Sequence, residues 1–322
     1  MVFKKTFLLL LATLSFGLGA AQEKTNPKTQ SEELGKVSWY RNYDEALKIA
    51  ATENKPVLIL FQEVPGCSTC RNYGKDVLSN PLMTEVIENL FVPLTIFNNK
   101  KGRDKEILDK YGEPSWNNPV VRIVNSAGWD VIPRIAGKYN AQSLYTVIES
   151  VLNKRETAIP EYMNLLKIEL FSENPSSLKE KYFRMYCFWS GEKHLGNSDA
   201  IYSAKAGFMG GYEVVKVAYD ESKINEEQLE QYAKKAQIFP IADNGNFRFS
   251  ERDHLYYLRK SKYQYLPLSE VQQTRINSAI GKGEDPTVFL SPKQKKWLIQ
   301  IDNSNKKPES LIDKDISIAW NW

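Results

Sequence analysis

Cysteine and histidine are scarce in this chain, whose 322 residues include 3 Cys and 2 His. A structural zinc framework or a multi-haem protein is excluded, because such sites need four or more nitrogen and sulfur ligands. Charge of one sign is also lacking: the formal net charge of +4 gives no reason to expect a nucleic-acid partner. The sequence contains no glycine-rich phosphate loop, metal-binding triad or internal repeat. We therefore predict no cofactor and no metal.

The composition is otherwise that of a globular protein, with 42% hydrophobic and 25% charged residues. The length suggests about two domains. Two lysines precede an apolar run over residues 6–18, and small residues around Ala21 suit cleavage after it. This pattern is typical of a secretory signal peptide, with an uncleaved membrane anchor as the alternative. We expect residues 1–21 to be the signal peptide of a periplasmic or secreted protein, and residues 22–38 to be a flexible linker.

The first regular region, residues 39–154, has two cysteines between a strand and a helix. The continuous apolar run over residues 56–61 is typical of a strand buried on both faces. Cys67 and Cys70 follow it, and residues 71–78 then show helical spacing. A helix N-terminus stabilises a thiolate, so Cys67 is predicted to be the reactive thiol and Cys70 to attack its mixed disulfides. An inert disulfide or half of a metal site is the alternative.

Hydrophobic periodicity predicts the other elements of this region. The predicted elements are helices over residues 43–53, 105–111 and 142–151, and strands over residues 90–96, 119–125 and 128–133.

Residues 39–154 resemble the thioredoxin family through Trp39, the apolar strand, Cys67-Ser-Thr-Cys70, and Asn118-Pro119 before a strand. The resemblance implies an α/β thioredoxin-like domain. It also implies that Pro119 follows a cis peptide bond and lies against the active-site disulfide, where substrate binds. Ser-Thr replaces Gly-Pro between the cysteines, so the redox potential of the family does not carry over.

Residues 155–180 are predicted to be a linker around a short helix at 161–171, and the hydrophobic pattern changes after them. Residues 181–300 show the order β-α-β-β-α-β, which predicts an α+β domain of the split βαβ, ferredoxin-like type. Residues 301–322 read as a loosely ordered tail, although residues 316–322 are apolar enough to dock on the body. The predicted strands are residues 182–188, 200–206, 212–219 and about 263–266, and the predicted helices are residues 189–195, 225–236 and 269–281.

This topology predicts that a thiol and a carboxyl group meet. The third strand fits between the first and second and runs antiparallel to both, so the end of the first strand meets the start of the third. Those two ends are Cys187 and Glu213. A thiol beside a carboxyl group, just before a helix, is a candidate pair of nucleophile and general acid.

Residues 182–285 resemble A-type peptide methionine sulfoxide reductases through Cys187-Phe-Trp189, Gly207-Phe-Met-Gly-Gly211, and Glu213 with the residues after it. The resemblance implies that Cys187 attacks the sulfoxide sulfur and that Glu213 protonates the sulfoxide oxygen. It further implies that Phe188 and Trp189 line the pocket for the substrate methyl group, which would raise the pKa of the carboxyl group.

This chain departs from that family in several places. Tyr186 replaces a glycine, and the loop that supplies a substrate-binding tyrosine is missing between Gly211 and Tyr212. Tyr212 or Tyr202 is the candidate to replace that tyrosine. Asp253 with His254 is a weak counterpart of a further family segment, and no resolving cysteine follows Cys187.

Two functions are open at this point. The first is an exported reductase of free or protein-bound methionine sulfoxide, in which the Cys67/Cys70 pair recycles Cys187 and an upstream membrane thiol reductant recycles the pair. The second is a general thiol-disulfide oxidoreductase whose C-terminal domain is a non-catalytic binding module.

Overall fold

The computed structural model describes residues 24–116, 119–172, 178–305 and 307–320. The predicted signal peptide, residues 1–21, lies outside the described residues. Within these ranges, no helix has the length and apolar character needed to cross a membrane.

The first sheet has three strands, β1 (Val57–Gln62), β2 (Val92–Phe97) and β3 (Val120–Val124), in the order β2-β1-β3. β1 is parallel to β2 and antiparallel to β3. Every residue of β1 is buried because alternate side chains enter the two cores on either face of the sheet. The surrounding α-helices are α1 (Tyr43–Glu53), α2 (Ser68–Asp76), α3 (Pro81–Leu90), α4 (Arg103–Lys110) and α5 (Ala141–Lys154).

The predicted order of strand, cysteine pair and helix is confirmed, and α1 has the predicted bounds. The expected strand over residues 128–133 is wrong, since only isolated bridges join Val124 to Asp130 and Val121 to Ile135. Gly128 turns the chain there with a φ of 81°. Helix α3 has no counterpart among the predicted elements.

The segment expected to be a flexible linker, residues 22–38, instead packs against the first domain from residue 24 onward. Leu34 and Val37 are buried in its core. The backbone N–H of Thr25 donates to the carbonyl of Trp39, and the Trp39 N–H donates to the Thr25 hydroxyl, both at 2.9 Å. Because most residues of this segment are polar, its composition did not indicate that Leu34 and Val37 anchor it to the first domain.

The second expected linker, residues 155–180, contains a regular helix, α6 (Glu161–Ser172), with apolar residues on two sides. Tyr162, Met163, Leu166 and Leu170 belong to the core of the first domain. The other side of α6 packs on the second domain. A helix that completes two cores is a structural element rather than a tether.

The second sheet contains β4 (Leu178–Met185), β5 (Ile201–Met209), β6 (Tyr212–Asp220), β7 (Phe239–Ile241) and β8 (Arg248–Phe249), in the order β7-β4-β6-β5-β8. β6 lies between β4 and β5 and is antiparallel to both, as the split βαβ arrangement predicts. Helices α7 (Phe188–Leu195) and α8 (Glu226–Lys234) provide the two connections.

The expected strand around residues 263–266 is wrong. Lys262–Tyr265 is a 3-10 helix, whose Tyr263 is buried with Leu266 in a separate apolar cluster. The strand that takes the predicted fourth place, beside β4 on the side away from β6, is β7, directly after α8. β7 has only three residues, one of them Pro240, and is too short to show a period in sequence. The remaining helices are α9 (Tyr256–Arg259), α10 (Glu270–Lys282), α11 (Pro292–Asp302) and α12 (Ile316–Ala319).

The C-terminal segment, expected to be loosely ordered apart from the apolar residues at its end, contacts the body at two places in residues 307–320. The backbone N–H of Leu311 donates to the carbonyl of Gln264 at 2.8 Å. Trp320 is buried against Trp297, with ring centroids 4.8 Å apart. The aromatic residues therefore hold a segment whose composition is mostly polar.

The shared helix α6 leads to a stability prediction. We expect Leu166→Ala to lower the free energy of unfolding by about 2–5 kcal/mol, because it removes a fully buried side chain and leaves a cavity. Lys167→Ala, which loses only an exposed ion pair with Glu149, should cost less than about 1 kcal/mol. Urea titration followed by circular dichroism measures both, and equal effects would contradict the role assigned to α6.

Candidate functional site

The first thiol centre lies at the N-terminus of α2. Cys67 is the N-cap residue and is exposed, whereas Cys70 in the first turn is buried. The two sulfur atoms are 3.7 Å apart, so no disulfide bond joins them. The structure therefore brings the predicted pair together with one thiol accessible and the other protected.

The two thiols differ in pKa because of their positions at the start of α2. The backbone N–H of Cys70 lowers the pKa of Cys67 against the opposing effect of burial, and the Cys70 thiol and the Thr69 N–H add to the lowering. Burial raises the pKa of Cys70 to about 12, and the adjacent Cys67 adds to the effect. Cys67 is thus suited to attack, and Cys70 reacts only once a mixed disulfide has formed beside it.

This difference leads to a prediction on thiol reactivity. With the reduced protein at pH 7, we expect iodoacetamide to alkylate Cys67 at least about tenfold faster than Cys70, because the lowered pKa and exposure favour Cys67. Peptide mapping of the time course measures the two rates. In the urea-unfolded chain both cysteines should react at similar rates, and a folded chain with equal rates would contradict the assignment.

Residues that sequence reasoning missed support this centre. Glu33 accepts a hydrogen bond from the Gly66 N–H at 2.7 Å, and buried Gln62 donates to the carbonyls of Glu33 and Cys70. A Cβ at Gly66 would lie 2.7 Å from the Cys70 Cβ, so glycine is required for this approach. The sequence signal for this support was Gln62, a polar residue at the end of an otherwise apolar strand.

Pro119 is buried one residue before β3, whose first residue pairs with Phe61 near the end of β1. It therefore lies at the same end of the sheet as Cys67. The predicted cis bond involves Asn118, which is outside the described residues. A cis bond within the described part of the chain joins Val64 to Pro65.

One group of metal-ligating side chains is found in the described ranges: Glu63, Cys67 and Cys70, whose potential ligand atoms lie within 4.8 Å of one another. The group offers three potential ligand atoms, and one of them is the sulfur of the reactive Cys67 thiol. The expected absence of a metal stays a prediction.

The second thiol centre lies where β4 meets α7. Cys187 is the N-cap residue of α7 and is half-buried. Met185 at the end of β4 pairs with Glu213, and Oε2 of Glu213 accepts the backbone N–H of Phe188 at 2.8 Å. The carboxylate thus binds the first turn of the helix that Cys187 begins, as the predicted topology requires.

Aromatic side chains border this centre. Phe188 is buried and packs edge-on against Phe208, with centroids 5.3 Å apart. Trp189 stacks on Tyr256 at 3.9 Å, with the ring planes 14° apart. The indole N–H of Trp189 is buried without a hydrogen-bond partner in the described residues. Phe188 thus belongs to the core of the second domain, and Trp189 packs against that core and stacks on Tyr256.

Neither tyrosine proposed to replace the missing loop residue is placed for that role. Tyr212 precedes Glu213 in β6 and so points to the opposite face of the sheet, where Arg184 lies over its ring. Tyr202 lies at the start of β5, far from Phe208, the residue that pairs with Glu213. Strand alternation and register thus exclude both.

Tyr257 lies close enough to Cys187 for the charges of the two groups to interact. Burial raises the pKa of Tyr257, and the charges of the neighbouring Cys187 and Tyr256 add to the shift. Gly281 of α10 lies against its ring, where an added Cβ would be 2.7 Å from Cδ2. Sequence reasoning missed Tyr257, although the pair of tyrosines soon after His254 was a usable signal.

His254 supports α7 through Glu192, whereas Asp253 accepts a hydrogen bond from the Ser250 hydroxyl. Nδ1 of buried His254 lies 2.6 Å from the Glu192 carboxylate, which also accepts the backbone N–H groups of Ala206 and Leu255. Burial raises the pKa of Glu192 despite these bonds. Hydrogen bonds to Asp313 and Glu192 raise the pKa of His254, outweighing the opposing effect of burial. The cluster connects α7 to the C-terminal segment.

Comparison with known proteins gives two separate similarities. The model of the Thioredoxin-like family matches residues 38–126. A curated relative, peptide methionine sulfoxide reductase MsrA of Salmonella arizonae, is 34% identical over 74 residues, which is 18% of this chain and 35% of the relative. The chain thus spans about a third of the length of that relative.

Two solved structures are also similar to part of the chain. A thioredoxin from Thermus thermophilus has 25% sequence identity and a TM-score of 0.32, over 37% of this chain and 88% of the thioredoxin. A DsbH oxidoreductase has 16% identity and a TM-score of 0.32, over 39% of this chain and 90% of that protein. From the family match and the curated relative, this chain carries a thioredoxin-like domain fused to a region similar to peptide methionine sulfoxide reductase A.

Proposed function

We propose that this protein reduces methionine-S-sulfoxide at Cys187 and that the Cys67/Cys70 pair returns Cys187 to its thiol. The observation that carries the proposal is the Glu213 carboxylate bound at the N-terminus of the helix that Cys187 begins. This bond supports a site in which Cys187 is the nucleophile, Glu213 the acid, and Phe188 with Trp189 an apolar wall. The similarity to a methionine sulfoxide reductase supports this substrate class.

In the first step, Cys187 attacks the sulfoxide sulfur while Glu213 protonates the sulfoxide oxygen. The oxygen passes to Cys187, which becomes a sulfenic acid, and the substrate leaves as the thioether methionine. Protonation is required because the bare oxide is a poor leaving group. Tyr257, beside Cys187, provides a hydroxyl for positioning that oxygen, and the Phe188/Trp189 wall receives the substrate methyl group.

In the second step, the Cys67 thiol condenses with the Cys187 sulfenic acid, forming a mixed disulfide and releasing water. The Cys70 thiol then attacks Cys67, forming the Cys67–Cys70 disulfide and releasing the Cys187 thiol. The accessible Cys67 and the buried Cys70 suit this order. The proposed location is outside the cytoplasm, where an upstream membrane thiol reductant would reduce the Cys67–Cys70 disulfide.

One observation favours the second candidate function, a general thiol-disulfide oxidoreductase with a C-terminal binding module. Gly210 and Gly211, both with positive φ, turn β5 directly into β6. The hairpin leaves no room for a loop over the Cys187 centre. If substrate binding depended on such a loop, only the Cys67/Cys70 pair would react.

Counting methionine distinguishes the two functions. The fully reduced chain, freed of reductant and given excess methionine-S-sulfoxide, should form two methionines per chain: one from the initial thiol and one after recycling. The Cys67→Ser/Cys70→Ser double variant should form one. Absence of methionine from both proteins would refute the reductase and leave the oxidoreductase function.

A further inference from the structure

The two domains are joined by a buried interface, which limits how far they can move apart. Leu165 and Ile168 of α6 are buried with Val271 of α10, while the opposite side of α6 lies in the first core. The Glu85 carboxylate in α3 accepts the backbone N–H of Lys293 in α11 at 2.8 Å. Separating the domains would expose these apolar side chains.

Cys187 lies at the far end of the second sheet from this interface. Tyr202, which packs on the Leu165 cluster, is next to Ile201, which pairs with Tyr219 at the distal end of β6. β4 has eight residues, so its two ends are about 25 Å apart. Cys187 follows the end that points away from α6.

Both thiol centres are uncovered in the described structure. Tyr186, next to Cys187, is 99% exposed, and Cys67 is exposed as well. A disulfide requires the two Cα atoms to lie within about 7 Å, which would bring Tyr186 against the other domain. The fixed interface and these exposures indicate that Cys67 and Cys187 of one chain do not meet.

The surface around Cys67 and the surface at the Cys187 end of the second sheet are complementary in charge. Glu63 lies beside the Cys67 and Cys70 thiols and has no ion-pair partner in the described residues, whereas Glu32 is paired with Arg71. Trp116, three residues before Pro119, is 78% exposed. At the Cys187 end of the second sheet, on the face opposite Glu213, Arg184 lies over the exposed rings of Tyr212 and Phe239 and has no ion-pair partner in the described chain. The Glu63 carboxylate and the exposed tryptophan thus complement a surface of tyrosine and arginine.

Resting on the proposed function, we propose that recycling occurs between two copies of this chain. The Cys67 end of one copy docks on the surface formed by Arg184, Tyr186, Tyr212 and Phe239 of another copy. The Cys67 thiol of the first copy condenses with the Cys187 sulfenic acid of the second and releases water. Cys70 of the first copy then closes the Cys67–Cys70 disulfide and releases the Cys187 thiol of the second.

Isotope mixing tests this proposal on the full chain. The Cys70→Ser variant, which cannot resolve the mixed disulfide, is prepared unlabelled and fully 15N-labelled, mixed in equal amounts, reduced, and given methionine-S-sulfoxide. Mass spectrometry then reads the linked Cys67 and Cys187 peptides. Transfer between copies predicts mixed labels in about half of the linked pairs, and transfer within a chain predicts none.

The outcomes separate this inference from the function on which it rests. Methionine formation with unmixed pairs, or with no linked pair, overturns transfer between copies but leaves the reductase intact. Absence of methionine overturns the reductase itself. Dilution gives a second readout. The rate at which the second methionine forms should fall in proportion to the protein concentration, whereas the rate for the first should not change.

The docking surface has its own variant. Arg184→Glu should slow formation of the second methionine at least about fivefold and leave the first unchanged, because it repels the Glu63 carboxylate beside Cys67. Lys179→Glu, on the same strand at the opposite end, is the matched control and should change neither. Equal rates in the Arg184→Glu variant and the parent would overturn the assigned surface.

Discussion

Replacing Cys187 with serine is expected to lower methionine formation by about 10³-fold or more. Serine has nearly the same volume, but its hydroxyl is a far weaker nucleophile at neutral pH. The half-buried position at the N-cap of α7 accepts serine readily, so the fold should persist. The measurement is the methionine formed in a single turnover by the reduced variant.

The same variant should reduce insulin disulfides as fast as the parent, because Cys67 and Cys70 lie in the other domain. This provides an internal control for folding. Conversely, the Cys67→Ser/Cys70→Ser variant should lose insulin reduction but keep the first methionine. A Cys187→Ser protein that still formed methionine would place the sulfoxide chemistry at the Cys67/Cys70 pair.

The second large effect is expected for Glu213→Gln, which should lower the rate of the first methionine by about 10²–10⁴-fold. Glutamine keeps an oxygen that can accept the Phe188 N–H, so the first turn of α7 stays in place. It cannot donate a proton to the sulfoxide oxygen. Rapid-quench measurement of the first turnover gives the rate.

Glu221→Gln is the matched control, since Glu221 is exposed and pairs with Lys179 at the other end of the sheet. It should leave the rate unchanged within about twofold. An equal rate in Glu213→Gln and in the parent would show that Glu213 acts only as a hydrogen-bond acceptor for α7, and another group would then have to supply the proton.

Local patterns predicted the elements that carry both thiols. β1 is a continuous apolar run because it is buried on both faces, and α2 follows it with helical spacing. The split βαβ order brought Cys187 and Glu213 to one end of the second sheet, because handedness and strand order leave few alternatives. Predictions based on one element and its neighbour therefore held.

Features that depend on distant packing could not be predicted. The ring of Tyr257 packs against Gly281 of α10, and that contact is not visible in the local pattern. Residues 22–38 and 155–180 were interpreted as linkers and residues 301–322 as a loose tail, since a few buried residues such as Leu34 and Trp320 do not change the average composition. Tyr212 was misplaced because a shift of one position along a strand reverses the face.

Helix α6 has a consequence for synthesis. The core of the first domain needs Tyr162, Met163, Leu166 and Leu170, which leave the ribosome after α5. The thioredoxin-like domain therefore cannot complete its apolar core when residue 154 has emerged. A fragment that ends there would expose the apolar face that α6 covers and would be prone to aggregate. Recombination that exchanges either domain would have to cut within a helix that both require.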